Sequence, residues 1–343
     1  MPMDGLTLNS TMSLPTHRML QNPRLTRHLV AKKAFVQQPL VVVDAGAKGG
    51  FETQWDFYGD EQVQLIGFEP NVAECERLNA GESRPNRRYY PTALHRTKGA
   101  KTLHINAHEA SSSFLKPDFE FLKRTPDWTS LVAKKNIRVR TDSLDSFARS
   151  RKIGNADFIK IDTEGSELPI LEGAKATLPS VLGLSVEVSF HPQFQNQPVF
   201  ADIDAFLRLF GFWLFDLTTF KVMRSELSPY RGAKFSGPTY EGQIFLGQAL
   251  YLRDAVWEFQ NGKGTLWNTN RLLKLASIME IFSLQDCAME MIRVGMEKGY
   301  FTDSQQRTMM ELLVPEVHGK RYTYRVYMKY ARENLRRKLK PKK

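Results

Sequence analysis

Cysteine is scarce: the 343 residues hold two, Cys75 and Cys287, far apart along the chain. Two separated thiols cannot build a disulfide scaffold, do not make a zinc ligand set, and suit reduced side chains in a cytosolic protein. Long apolar runs are missing too. No stretch reaches the roughly 18–20 residues needed to cross a bilayer. Met1–Leu40 has no apolar segment of the secretory kind, so the expected localisation is cytoplasmic. That first segment is basic and poor in acids, which reads either as an N-terminal arm or as an organellar presequence. Internal repeats and low-complexity tracts are absent, as are a G-x-G-x-x-G turn and a D/N-P-P-Y/F stretch. The last two absences count against a dinucleotide-dependent dehydrogenase and against methylation of a base amino group.

The net charge of +11 is unevenly spread. Residues 320–343 carry 11 Lys/Arg against the single acid Glu333, and residues 1–40 carry five against Asp4. The body between them is mildly acidic, so the basic pI belongs to the ends.

From Pro39 onward, apolar runs alternate with amphipathic ones. Leu40–Val43, Val63–Phe68 and Arg88–Leu94 read as strands, with helices predicted over Thr53–Tyr58 and Val72–Asn79. Thr102–Ile105, Ile137–Arg140, Phe158–Ile161 and Leu182–Val188 continue the strands, with helices over Glu167–Leu178 and 202–210. Trp213–Leu217 and Gln243–Leu252 read as a paired end, joined by the Pro- and Gly-containing loop Ser225–Tyr240. Short buried strands between helices call for an α/β fold: a mainly parallel Rossmann-like sheet with helices on both faces and its ligand at the strand C-termini. Past residue 255 the pattern is helical only: Thr269–Ser283, Leu284–Lys298, Ser304–Leu313 and a basic amphipathic helix over Tyr322–Leu339. The expected division is a basic arm over 1–38, a catalytic domain over 39–254 and a helical extension over 255–343.

Three strand ends carry the chemistry. Val41–Val43 runs into Asp44-Ala45-Gly46-Ala47-Lys48-Gly49-Gly50, where Gly46 and Gly50 let a nucleotide-like ligand approach the backbone beside Ala47, or serve the packing of a tight turn. Asp44 suits a cationic ligand. Strand Leu65–Phe68 ends in Glu69-Pro70-Asn71, placing a carboxylate where ribose hydroxyls bind; the alternative is an acid favoured by a helix N-terminus. The third segment, Asp157 to Glu167, delivers Asp162 and Glu164 to the cleft edge, whereas Glu167 fits either function or a helix start.

Together, D-A-G-A-K-G-G-F, G-F-E-P-N, T-D-S-L-D at Thr141–Asp145 and I-K-I-D-T-E-G-S-E-L-P-I-L-E-G-A resemble the FkbM methyltransferase family in order and spacing over residues 40–250. Members commonly show D-V-G-A-N-x-G, and this chain has Lys48 at the Asn position. The resemblance implies a class I methyltransferase fold, S-adenosylmethionine as cofactor, and O-methylation of a sugar, glycan or natural-product hydroxyl. It implies a cofactor site of Asp44, Gly46, Ala47, Gly50, Glu69, Pro70, Asn71, Ala93, Asp142 and Asp162. The extension lies outside it.

Methyl transfer needs an aligned oxygen and a destination for its proton. Asp162 is the first candidate base, with Glu187 and His191 from the next strand end beside it; His191 also reads as a loop histidine bonded to backbone. Three acids over two loops do not specify a metal site. Ser111-Ser112-Ser113-Phe114 is expected on the acceptor side or in a polar loop, with specificity in the Ser111–Pro126 and Ser225–Tyr240 loops. The basic tail suggests docking to an anionic membrane surface or polymer through residues 320–343. Two rival readings are a nucleic-acid methyltransferase, disfavoured because the positive charge lies outside the proposed catalytic domain and the sequence shows no basic cleft lining, and an inactive adaptor.

Overall fold

The structure is a computed structural model and describes residues 17–338 except 127, 152, 227–241 and 318. The elements follow in chain order: α1 (Arg24–Ala31), β1 (Leu40–Ala45), β2 (Val63–Phe68), α2 (Val72–Gly81), β3 (Arg87–Tyr90), β4 (Ala93–Leu94) and β5 (Gly99–Asn106). Next come α3 (Phe119–Leu122), β6 (Ala133–Asp142), α4 (Leu144–Arg151), β7 (Phe158–Ile161), α5 (Glu167–Glu172), β8 (Gly183–Ser189), α6 (Phe200–Leu209), β9 (Phe212–Val222) and β10 (Gln243–Arg253). The helices α7 (Ala255–Gln260), α8 (Thr269–Ile281), α9 (Gln285–Glu297), α10 (Asp303–Leu313) and α11 (Tyr324–Lys338) complete it.

Seven strands form the main sheet in the order β3-β2-β1-β7-β8-β10-β9, parallel throughout except for β10. The chain winds outward from β1 to β3 and then restarts on the other side at β7. The strand order therefore reverses between β1 and β7, where open α/β sheets hold ligands beyond the strand C-termini. This is the mixed α/β, class I methyltransferase architecture that the resemblance implies.

Alternation along the strands fixes what each face meets. Val41, Val43, Ala45, Ile159, Ile161, Val186 and Val188 face one layer, built from α4, α5 and α6 through Leu144, Phe147, Ile170, Ile203 and Leu207. On the other face Leu40, Val42, Phe158, Leu250 and Leu252 pack against Leu25 and Leu29 of α1 and Leu272, Leu275 and Met279 of α8. The link from β1 to β2 holds only a short 3-10 turn, Thr53–Phe57, in place of the predicted helix. That face is instead covered by helices from the two ends of the chain.

Two further elements differ from expectation. The strand predicted over Arg88–Leu94 breaks at Pro91, which has no N–H to continue a ladder. β3 joins the main sheet, while β4 joins β5 and β6 in a separate three-stranded sheet. The helix predicted over Glu167–Leu178 stops at Glu172, and the C-cap Gly173 passes so close to the His95 carbonyl that a Cβ there would lie 2.3 Å from it. Most of the loop Ser225–Tyr240 lies outside the described residues. Cys75 and Cys287 are free thiols. No helix among the described residues is long and apolar enough to cross a membrane.

Candidate active site

On the α1/α8 face, the parallel central strands are apolar where they enter the sheet and polar where they leave, and the antiparallel β10 runs from polar to apolar. The sequence reads Leu40, Val42, Asp44 on β1; Phe158, Lys160 on β7; Gly183, Ser185, Glu187 on β8; and, on the antiparallel β10, Leu252, Leu250, Gln248. The register sets Lys160 beside Asp44 and Ser185, and Glu187 beside Gln248. The result is a polar floor at the strand C-termini, under two cavities.

The first cavity, of about 870 Å³, is lined by Gly46, Glu69, Pro70, Asn71, Ala93 and Asp162 among others. Its far wall is the small sheet, through Leu103, Ile137 and Val139. Gly46 serves both of the roles open to it: it lines the cavity, and at φ +92° a Cβ there would lie 1.9 Å from the Asp162 carbonyl. Only glycine lets the β1 and β7 loops touch, and that contact closes the cavity floor. Glu69 is buried at the rim, and its Oε1 accepts from the Asn71 N–H at 2.8 Å. Burial raises its carboxyl, opposed by that hydrogen bond and by Lys48.

Asp44 lies beneath the lining rather than in it. Its Oδ1 accepts from Lys160 Nζ at 3.3 Å, and Lys160 also reaches Asp162 Oδ2 at 3.9 Å. Burial pushes the Asp44 carboxyl up to about 6, with Lys160 drawing it back and Glu52 adding to the rise. Burial pulls Lys160 downward, but Asp44 and Asp162 outweigh it and its ammonium is held above the usual range. One buried cation thus serves two acids.

The second cavity, of about 770 Å³, meets the first at Lys160, Asp162 and Glu164. It is lined by Ser111, Trp128, Glu187, Gln193, Phe245 and Gln248 among others. Gln248 Nε2 donates to Asp162 Oδ2 at 3.3 Å. Glu164 takes a left-handed conformation at φ +56°, uncommon for a residue with a Cβ, and Gly165 follows at +102°. Glu167 holds this turn, accepting from Thr163 N–H at 3.0 Å, Thr163 Oγ1 at 2.9 Å and Gly165 N–H at 3.0 Å. Of the two readings open to it, Glu167 takes the local structural one. Burial, then the neighbouring carboxylates, raise Glu164 and Glu187 well above the usual carboxylate range.

The remaining sequence candidates are dispersed. Ala47 packs with Cys75, Leu78 and Tyr89, and Gly50 lines the second cavity. Asp142 accepts from the N–H of Ser143 at the start of α4 and lies in neither lining. His191 stacks on Phe121 with ring centroids 3.6 Å apart, also outside both cavities, and its Nδ1 lies 3.2 Å from the Pro192 carbonyl. The serine run divides: Ser112 and Phe114 line the first cavity, Ser111 the second, and Ser113 Oγ donates to the Glu164 carbonyl at 2.6 Å. Lys135, Arg138 and Arg140 on the first cavity's wall supply a basic lining that the sequence did not show. These come from β6, a strand whose partner sheet was not legible. Lys160 and Gln248 were also missed, although a lysine between Ile159 and Ile161 in a buried strand was a readable signal.

Residues 44–214 match the methyltransferase FkbM domain. No curated protein matches the chain. Among solved structures, a TehB-like SAM-dependent methyltransferase from Corynebacterium glutamicum is 11% identical, over 67% of this chain and 87% of its own, with a TM-score of 0.28. Magnesium protoporphyrin IX methyltransferase from Synechocystis, solved with bound SAM, is 9% identical over 68% and 78% at 0.29. A 16S rRNA (adenine(1408)-N(1))-methyltransferase from Catenulisporales acidiphilia is 11% identical over 65% and 92% at 0.29.

Proposed function

The chain carries a methyltransferase FkbM domain and is an S-adenosylmethionine-dependent methyltransferase, and from that premise we propose that it methylates a hydroxyl of a sugar, glycan or natural-product-like acceptor seated in the second cavity. The cofactor, when bound, supplies an electrophilic methyl group on a cationic sulfur. Gly46 and Glu69–Asn71 hold it in the first cavity, and the Asp44–Lys160–Asp162 cluster lies where the two cavities join.

One observation carries the choice of acceptor. Buried polar atoms without a hydrogen-bond partner among the described residues gather on the second cavity's lining residues: Glu187 Oε1, Gln193 Nε2, Gln248 Oε1 and His17 Nε2. Each such atom costs about 1–3 kcal/mol if left unpaired. A hydroxyl both donates and accepts, so a hydroxyl-rich ligand satisfies this mixed set, while Trp128 and Phe245 offer apolar surface to its C–H groups. Asp162 is positioned to orient the acceptor, and protonated Glu187 to donate to one of its oxygens.

The test uses purified protein, methyl-tritiated cofactor and extract from cells lacking the gene. Label is expected in a polysaccharide or small-metabolite fraction, as a one-methylene mass increment that resists alkaline hydrolysis. Label confined to protein or nucleic acid would refute the acceptor class. RNA is the second reading, favoured by Lys135, Arg138 and Arg140 on the first cavity's wall. It predicts affinity that falls steeply with salt.

A further inference from the structure

His17 lies in the N-terminal segment, outside every motif, yet its side chain is 3% exposed and forms part of the second cavity's wall. Two contacts position it. Leu20 N–H donates to the Ile281 carbonyl at 2.8 Å, holding the segment on the end of α8, and the imidazole meets the ring of Phe282 edge-on at 5.6 Å. On β9, Asp216 Oδ2 lies 3.0 Å from His17 Nδ1. A carboxylate only accepts, so Nδ1 carries the proton in the neutral ring and Nε2 keeps its lone pair. That Nε2 is buried and has no partner among the described residues.

Asp216 lies on the same face of the sheet as the methyl-transfer cluster. Asp216 pairs with Leu250, and the next pair along that face is Thr218 with Gln248. Gln248 in turn donates to Asp162. We propose that His17, oriented by Asp216, is the general base for the acceptor hydroxyl; this rests on the reading of the second cavity as the acceptor site. The other groups at this cavity suit the task less well. Burial and mutual repulsion raise Glu164 and Glu187 and favour their protonated forms. Asp162 already accepts from Gln248 and faces Lys160.

The step balances without a further reactant. As the acceptor oxygen forms its bond to the methyl carbon, the carbon–sulfur bond breaks with its electron pair remaining on sulfur. The hydroxyl proton passes to His17 Nε2, the imidazolium is stabilised by Asp216, and the proton then leaves to solvent.

The experiment compares full-length wild type with His17→Ala and Asp216→Asn, using the tritiated cofactor and the same extract. S-adenosylhomocysteine affinity by calorimetry should be unchanged, while incorporation falls by about 100-fold or more in His17→Ala and by a smaller factor in Asp216→Asn. Added imidazole should restore activity to His17→Ala alone. Nitrogen-15 spectra of wild type should show His17 protonated on Nδ1. A His17→Ala enzyme within about threefold of wild type, an activity loss matched by lost S-adenosylhomocysteine affinity, absent rescue, or a proton on Nε2 would each overturn the assignment. No incorporation by wild type would instead remove the hydroxyl-acceptor reading, and the base with it.

Discussion

Asp44 links a buried charge to cofactor choice. Its carboxyl, raised by burial to about 6, is ionised at neutral pH and protonated in mild acid. Both S-adenosylmethionine and S-adenosylhomocysteine share the adenosine and amino-acid ends, and only the first has a positive sulfur. The ratio of their affinities isolates that charge. It should favour S-adenosylmethionine above pH about 6 and lose this preference as pH falls through that value, since the carboxylate is then neutralised. Asp44→Asn should flatten the ratio across the range by calorimetry; a ratio independent of pH in wild type would remove Asp44 from cofactor recognition. The effect on folding has the opposite sign. A raised folded-state pKa favours the fold below the unfolded carboxylate value of about 3.9, and that contribution is lost as pH rises through about 6. The apo-protein therefore carries the cost of a charge that the ligand uses. Glu187 makes a separate prediction. Because burial and the neighbouring carboxylates favour its protonated form, Glu187→Gln should retain activity within about threefold. Glu187→Ala should lose much more, and equal losses would point to an ionised role.

At the scale of elements, the helices from both chain ends are bound to the sheet by buried charge. Glu280 on α8 accepts from the N–H groups of Leu25 and Thr26 at 2.8 and 2.7 Å and from Thr26 Oγ1 at 2.8 Å. It thus caps the first turn of α1, whose own N-cap residue is Pro23 and supplies no side-chain acceptor. Glu280→Gln replaces one acceptor oxygen by a donor facing other donors. Urea unfolding at neutral pH should show a loss of about 2–3 kcal/mol, and a change near zero would mean that α1 docks by apolar contact alone. Lys274, one and a half turns earlier, reaches Asp157 Oδ2 at 2.7 Å and the Pro39 carbonyl at 2.9 Å, below the sheet. These ties explain what was legible in the sequence. The strand ends were readable because alternation and the acids Asp44, Glu69 and Asp162 are local patterns. The place of His17 was not, because its partners Asp216 and Phe282 lie about two hundred or more positions away and no periodicity links them. Likewise no local pattern ties Lys135, Arg138 and Arg140 to the cleft, and only the folding of β6 brings them to the first cavity.

For the whole molecule, the question is which parts of the helical extension the fold requires. Leu272, Leu275, Met279, Met291 and Leu313 share one apolar cluster with Leu40, Val42, Phe158 and Leu250 of the sheet and with Leu25 and Leu29 of α1. Each fully buried side chain of this kind contributes about 1.5–3 kcal/mol, and net stability is only about 5–15 kcal/mol. Removing residues 255–343 should therefore leave an insoluble chain with no cooperative melt. A soluble 1–254 fragment that binds S-adenosylhomocysteine would show the extension to be separable. The last helix is placed differently. Val326 and Tyr330 are exposed, and α11 begins with the Tyr324 N–H bonded to Glu311 Oε2 at 2.8 Å. Deleting residues 320–343 removes ten units of net positive charge. The melting temperature should stay within about 2 °C, and S-adenosylhomocysteine affinity should not change. If this segment docks the enzyme on an anionic surface, co-sedimentation with phosphatidylserine vesicles should disappear with it, and should weaken with salt in the intact chain. Undiminished co-sedimentation after the deletion would assign membrane affinity elsewhere on the molecule.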